Sequence, residues 1–371
     1  MGHFGVDKTD VFKALAKRLN RNPVGAPFSE TLMKILHTMF LEKEAEIGSN
    51  FPMGFTTAEK LSASTGISVE EITDRLDGMA QKGLVIDVPR EDKMFYMLTP
   101  LVIGFFEYTF MRADSSLPLK DLADLFEQYH HEKGVSEEFF GGDTKMFQTW
   151  AYESLMPEDV ETEVLNYEKA SEMIRDAGGG SLTMCYCRHQ AHHRGVACDA
   201  PIDDVCMSLG GASEWLVRRG FARFASVDEL LRVLEKTEEL GLVHLADNVQ
   251  NNTAYICHCC GCCCGVLRGM NEHDVHSVHP SNFIPEINEA ECTGCGICVK
   301  RCHIGAIEIT GAVAGKGGTA KISNDRCIGC GACIRGCKKA AMHLKRRLEI
   351  YVPPKNKKEQ MLSIARQKGR L

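Results

Sequence analysis

No cysteine occurs before residue 185, although the chain has 18. Other absences narrow the reading further. No apolar run is long enough to span a bilayer; the longest near-apolar stretch, LTPLVIGFFEYTF, is interrupted by Pro100 and Glu107. The start, MGHFGVDKTDVFKALAKRLNRNP, lacks the apolar core and cleavage site of a signal peptide. Positive charge is not in excess: the net charge is −7, which argues against nucleic acid as the main partner. No dinucleotide fingerprint follows a strand, since the Gly178–Gly180 run precedes one instead. No Ser–His–Asp or His-Glu-x-x-His pattern appears. With 371 residues, 44% apolar and 25% charged, we expect a cytoplasmic protein of two or three domains without a visible substrate site.

The cysteines crowd between Cys185 and Cys337. In a reducing compartment a disulfide framework does not suit a chain of this size, so metal ligation leads. Residues 292–302, CTGCGICVKRC, and 327–337, CIGCGACIRGC, each read C-x2-C-x2-C-x3-C. Glycines let such loops bend and turn backbone N–H groups toward sulfide. Zinc sites use two paired knuckles instead. Over about 286–345 the chain resembles bacterial-type ferredoxins with two [4Fe–4S] clusters. The resemblance implies that Cys292, Cys295, Cys298 and Cys337 hold one cluster, and that Cys327, Cys330, Cys333 and Cys302 hold the other. The chain departs from that pattern in two ways. His303 and Lys338 stand where the family has proline, and GAVAGKGGTA lengthens the linker between the tetrads. That insert is not a phosphate-binding loop, because Gly317 follows Lys316.

Ten further cysteines lie upstream. Cys185, Cys187, Cys198 and Cys206 form a C-x-C-x10-C-x7-C array. They are expected to complete one cluster, with zinc as the alternative. Arg188, His189, His192, His193 and Arg194 add cations that would favour a reduced cluster, or merely form a solvated loop. Cys257, Cys259, Cys260, Cys262, Cys263 and Cys264 exceed the needs of one cubane. Alternate residues of an extended segment face opposite ways. Either four ligate one [4Fe–4S] cluster and two are spare, or both arrays join in a larger assembly. One or two further iron–sulfur clusters follow. His258 is expected to hydrogen-bond rather than ligate. CYCRH, then ICHCCGCCC, then a dicluster module resembles a group of little-characterised iron–sulfur proteins of anaerobic bacteria, over roughly 160–345. That resemblance implies cytoplasmic redox work.

The expected fold class is α+β and multidomain. Residues 1–112 form a winged-helix-like domain, 113–180 a helical connector, 181–284 a cysteine-rich α/β region, 285–345 the ferredoxin domain and 346–371 a basic tail. The winged-helix resemblance rests on three helices followed by a hairpin within 29–112. SETLMKILHTMFLEKEAEIG carries Leu32, Ile35, Leu36, Met39 and Phe40 at helical spacing. The next helix closes at Gly66. The third begins at Ser68, with Glu71 completing a capping box and Val69, Ile72, Leu76 and Met79 as its apolar face. Its surface is acidic, carrying Glu70, Glu71, Asp74 and Asp77, the wrong sign for phosphate. A docking role is expected instead. His130 and His131 are expected at the surface. His273, His276 and His279, spaced by three, are expected in a loop without metal. A multi-cluster electron-transfer protein is the leading reading, with redox proteins or a larger oxidoreductase as partners. An oxidoreductase using the 185–264 region as its active site, and a redox-sensing transcription regulator, are the alternatives.

Overall fold

The computed structural model describes residues 8–113, 116–157, 166–311 and 317–371. Part of the expected helical connector and part of the linker insert lie outside them.

The N-terminal body is helical. It runs through α1 (Lys8–Asn20), α2 (Glu30–Met39), α3 (Glu42–Ser49), α4 (Ala58–Thr65) and α5 (Val69–Gln81) to a hairpin of β1 (Val85–Arg90) and β2 (Lys93–Leu98). The single helix expected over 29–48 is two. Phe40 and Leu41 turn extended, and the Glu44 carboxylate accepts the Leu41 N–H at 2.8 Å, starting a new helix. Ser68 caps α5 by accepting from Glu71 N at 3.2 Å. Ile72, Leu76 and Met79 are fully buried, but Val69 is exposed.

Next come α6 (Phe106–Phe110), α7 (Leu119–His130) and α8 (Val135–Phe140). The expected helical connector then gives way to a strand. In β3 (Phe147–Trp150) all four residues are buried. It joins a seven-stranded sheet with β4 (Gly180–Thr183), β5 (Cys206–Leu209), β6 (Arg223–Ala225), β7 (Val243–Asp247), β8 (Tyr255–Cys259) and the two-residue β9 (Val278–His279). Strand order is β6-β4-β5-β8-β7-β3-β9, antiparallel except for β3 beside β9. Helix α9 (Ala170–Asp176) precedes β4, and α10 (Tyr186–His193), α11 (Gly210–Arg218), α12 (Val227–Leu240) and α13 (Gly265–Glu272) follow β4, β5, β6 and β8.

In the C-terminal module β10 (Phe283–Ile287) pairs with β13 (Met342–Arg346), and β11 (Ile307–Thr310) with β12 (Thr319–Ile322). The short helices α14 (Ile297–Arg301) and α15 (Ala332–Arg335) carry cysteines. The basic tail is not a solvated extension. Its helix α16 (Lys357–Gln367) folds back, and fully buried Gln360 donates to the carbonyls of Lys145 and Met146, each at 3.0 Å.

The N-terminal body is clamped to the sheet domain through one carboxylate. Asp87 on β1 is 1% exposed and accepts from Trp215 Nε1 (2.9 Å), Arg218 (2.7 Å) and Arg219 (2.7 and 3.0 Å). Arg219 also reaches Asp77 on α5 at 2.8 Å. Of the acidic residues read from the sequence on α5, Asp77 therefore meets an arginine of this same chain.

Candidate metal centres

The two ferredoxin tetrads exchange their fourth ligands. Cys292, Cys295, Cys298 and Cys337 line one cavity, and Cys302, Cys327, Cys330 and Cys333 line another. Gly296 and Gly331 take left-handed backbone angles, φ +75° and +91°, at the turns into α14 and α15. Backbone N–H groups aim at sulfur: Ala306 to Cys302 at 3.1 Å, and Ala320 to Cys292 at 3.5 Å. Such donors stabilise thiolate charge and tune cluster potential. Burial pushes the Cys330 thiol up to about 12, so its thiolate is disfavoured there unless a metal takes the charge. Four thiols around each cavity suit cubane clusters. Cys295 is exposed, whereas Cys327 and Cys333 are buried, so the first cluster faces solvent and the second faces the rest of the protein.

The ten upstream cysteines sort differently from their sequence arrays. Along β8, Cys257 and Cys259 face one side, and His258 faces the other. His258 is fully buried, its Nδ1–H donates to the Val205 carbonyl, and its ring meets His244 edge-on at 4.9 Å. Burial holds it at about 4, hence neutral. It is a structural imidazole, as its place in the sequence suggested.

Six thiols form a buried string. Cys206 has Cys185 and Cys257 as neighbours, whose thiols hold it well below the usual thiol range. Cys264 has Cys187 and Cys259 as neighbours, with the same effect. Cys257 and Cys259 are themselves in contact, and Cys187 lies within electrostatic reach of Cys185, closing the ring. All six are at most 7% exposed and share one core cluster with Cys327 of the ferredoxin module. The elements explain the gathering. Cys185 caps α10 and Cys187 sits in its first turn; Cys206 opens β5; Cys264 caps α13. Strand β4 stops at Thr183, before the first of these cysteines.

The other four, Cys198, Cys260, Cys262 and Cys263, form a second group whose sulfurs all lie within 4.8 Å of one another. Cys198 thus leaves the array in which the sequence had placed it. The turn after β8 reverses the chain, so three thiols point toward the Cys198 loop before Cys264 returns to the ring.

Arg188 stands between the two groups. It is fully buried; its Nε donates to Pro201 O at 2.8 Å, its Nη1 to His258 O at 3.0 Å, and Nη1 lies 3.7 Å from Cys260 Sγ. Burial opposes its charge, but Cys185, Cys206 and Cys260 outweigh that and hold the guanidinium firmly protonated. The other expected cations do not share this position. Arg194 pairs with Glu127 at 2.9 Å, and His189 bonds the Phe110 carbonyl at 2.8 Å.

His303 joins the module to this centre. It follows Cys302 and accepts at Nδ1 from Gly261 N–H at 3.1 Å, inside the turn between Cys260 and Cys262. Its Nε2–H donates to Gly241 O at 2.8 Å. A Cβ at Gly261 would overlap the His303 carbonyl. Proline at 303 would supply neither bond. Tyr152 makes a second clasp, its N–H donating to Cys330 O at 3.1 Å and its hydroxyl to Leu242 O at 2.7 Å.

A cavity of about 580 Å³ reaches the six-thiol ring. Its floor includes Cys206, Cys257 and Tyr186, all buried, and its mouth includes exposed Gly211, Glu214 and Arg218. Buried Glu107 lines it too, accepts from Gly104 N–H at 2.6 Å, and is pushed up to about 8 by burial.

Two histidine expectations change. His130 is half-buried rather than superficial, and it gathers with His131 and His273. Arg268 donates to His131 Nε2 at 3.0 Å, so a guanidinium already occupies that cluster. His279 instead stacks on Tyr351 at 3.3 Å.

Residues 291–341 match the family described as 4Fe-4S dicluster domain. No curated protein and no solved structure matches the chain. The chain therefore carries a ferredoxin-like module with two [4Fe–4S] clusters, and it is an iron–sulfur electron-transfer protein. Among the described residues no helix is long and apolar enough to cross a membrane.

Proposed function

We propose that the protein accepts electrons at its ferredoxin module and passes them to a buried iron–sulfur centre held by Cys185, Cys187, Cys206, Cys257, Cys259 and Cys264. The observation that carries this reading is the His303 clasp, which fixes the Cys302 end of the module against the Cys260–Cys264 turn. Bound clusters supply one-electron carriers. The chain's own groups exclude water from them, aim N–H groups at sulfur and offset charge through Arg188. The external partner is a redox protein or a larger anaerobic oxidoreductase in the cytoplasm. The winged-helix-like unit serves as a docking body, since its hairpin is engaged by Arg218 and Arg219. The test is rapid-mixing reduction by a small ferredoxin. Cys295→Ala and Cys330→Ala should each abolish fast reduction of the upstream centre; unchanged rates in both variants would sink the proposal.

The 580 Å³ cavity favours a second reading, in which the six-thiol centre acts on a substrate. Two cationic groups of the wall already have partners: Arg218 pairs with Asp87 and Lys357 with Asp247. The cavity therefore suits an uncharged organic acceptor. A Cβ on Gly211 meets nothing within 4 Å, so Gly211→Trp should narrow the mouth without touching the thiols. Under this reading it blocks binding of an uncharged aromatic probe, measured by calorimetry on oxidised protein, and leaves reduction of the clusters intact.

A further inference from the structure

The four thiols outside the ring are spaced for one ion rather than for a cluster. Cys198 Sγ lies 3.6 Å from Cys260 Sγ and 3.8 Å from Cys263 Sγ, and Cys262 Sγ lies 3.7 Å from Cys263 Sγ. A disulfide would require about 2.05 Å, so none of these contacts is a bond. A tetrahedral zinc ion with sulfur at about 2.3 Å sets its ligands about 3.8 Å apart, the edge of the tetrahedron. A cubane holds its four thiolates apart by its own width. Accordingly, the ferredoxin tetrads, which surround cavities, are not among the groups whose sulfurs all fall within 4.8 Å of one another.

We infer that Cys198, Cys260, Cys262 and Cys263 form a closed, four-thiolate zinc site that is structural and carries no electrons. The inference is independent of the electron-transfer reading. On binding Zn²⁺ each thiol gives its proton to solvent, leaving two net negative charges. Arg188, 3.7 Å from Cys260, offsets one of them from the buried side. All four positions are protein sulfur, with none open to substrate, as in structural zinc sites; X-ray absorption at the metal edge separates zinc from a single iron ion in the same shell. The site ties the 198 loop to the turn after β8. That turn carries Gly261, which His303 grips, and ends at Cys264, a member of the ring. The ion therefore sets the geometry between the ferredoxin module and the six-thiol group.

The full chain, purified anaerobically, tests this. Zinc K-edge absorption should show about one zinc per chain with four sulfur neighbours at about 2.3 Å. Cys262 is exposed, so Cys262→Ser should lower zinc content or replace one sulfur by oxygen, with iron and acid-labile sulfide unchanged. Should that variant not fold, growth of the wild type with Co²⁺ gives the second measurement: intense visible bands of tetrahedral cobalt thiolate are expected. Iron in place of zinc at this site, loss of iron rather than zinc from Cys262→Ser, or wild-type protein without a zinc–sulfur shell would overturn the inference.

Discussion

Removing the charge of Arg188 should lower the potential of the six-thiol centre and leave the ferredoxin clusters unmoved. The guanidinium is fully buried, and Cys185, Cys206 and Cys260 are the anions that hold it charged. A unit charge at about 4 Å in an effective dielectric of about 20 interacts with another by about 4 kcal/mol. An added electron spreads over a cluster, at about twice that distance, so the effect falls to about 2 kcal/mol. One electron then shifts by about 100 mV, at about 2.3 kcal/mol per 100 mV. The assay is a redox titration followed by electron paramagnetic resonance, with the ferredoxin clusters as an internal reference. Arg188→Gln should move the upstream midpoint down by about 100 mV. Arg188→Lys keeps the charge but not the planar fork that serves Pro201 and His258, so it should stay near the wild-type potential while losing thermal stability. Equal shifts in both variants, or no shift in Arg188→Gln with its iron retained, would refute the electrostatic argument.

Other outcomes follow from the same contacts. His303→Ala loses two hydrogen bonds, about 1 kcal/mol each. It should lower the melting temperature and slow reduction of the upstream centre while leaving reduction of the module unchanged, as stopped-flow traces at separate wavelengths would show. Asp87→Asn leaves Arg218 without a carboxylate partner and Arg219 with exposed Asp77 alone, and should cost about 3 kcal/mol, read as earlier loss of the N-terminal body in limited proteolysis. Acid should act in the same way. Burial opposes the Asp87 charge, but its arginine and tryptophan donors outweigh that and hold its carboxyl well below the usual range. Its contribution is therefore complete above about pH 4 and fades as pH falls toward the depressed value, which denaturant midpoints between pH 7 and 2 would trace.

Local sequence patterns revealed the helical starts and the ferredoxin loops because both are written in short-range spacing. Ser68 and Glu71 lie three residues apart, and each ferredoxin tetrad supplies three ligands within seven residues. The exchange of Cys302 and Cys337 followed from family resemblance, not from spacing. What stayed hidden depends on distant pairing. The strand FQTW is too short for a period to register, and its burial comes from neighbours almost a hundred residues further on, as in the pairing of Trp150 with His244. The division of the ten upstream cysteines was half visible. Alternation along 257–259 showed that they could not all face one way, but the partner of Cys198 depended on a turn that reverses at Gly261. The burial of Arg188 had no local signature, whereas His303 did carry a signal, an imidazole where the family has proline.

The docking of α16 also has a consequence in time. Its anchors join parts of the chain far apart in sequence: Lys357 to Asp247, Gln360 to Lys145, and Arg370 to Glu138, 110, 215 and 232 residues apart. Contacts of such long range form late. Lys357 also lines the cavity that leads to Cys206 and Cys257. Until this helix settles, that approach to the six-thiol centre lacks the part of its wall that Lys357 supplies.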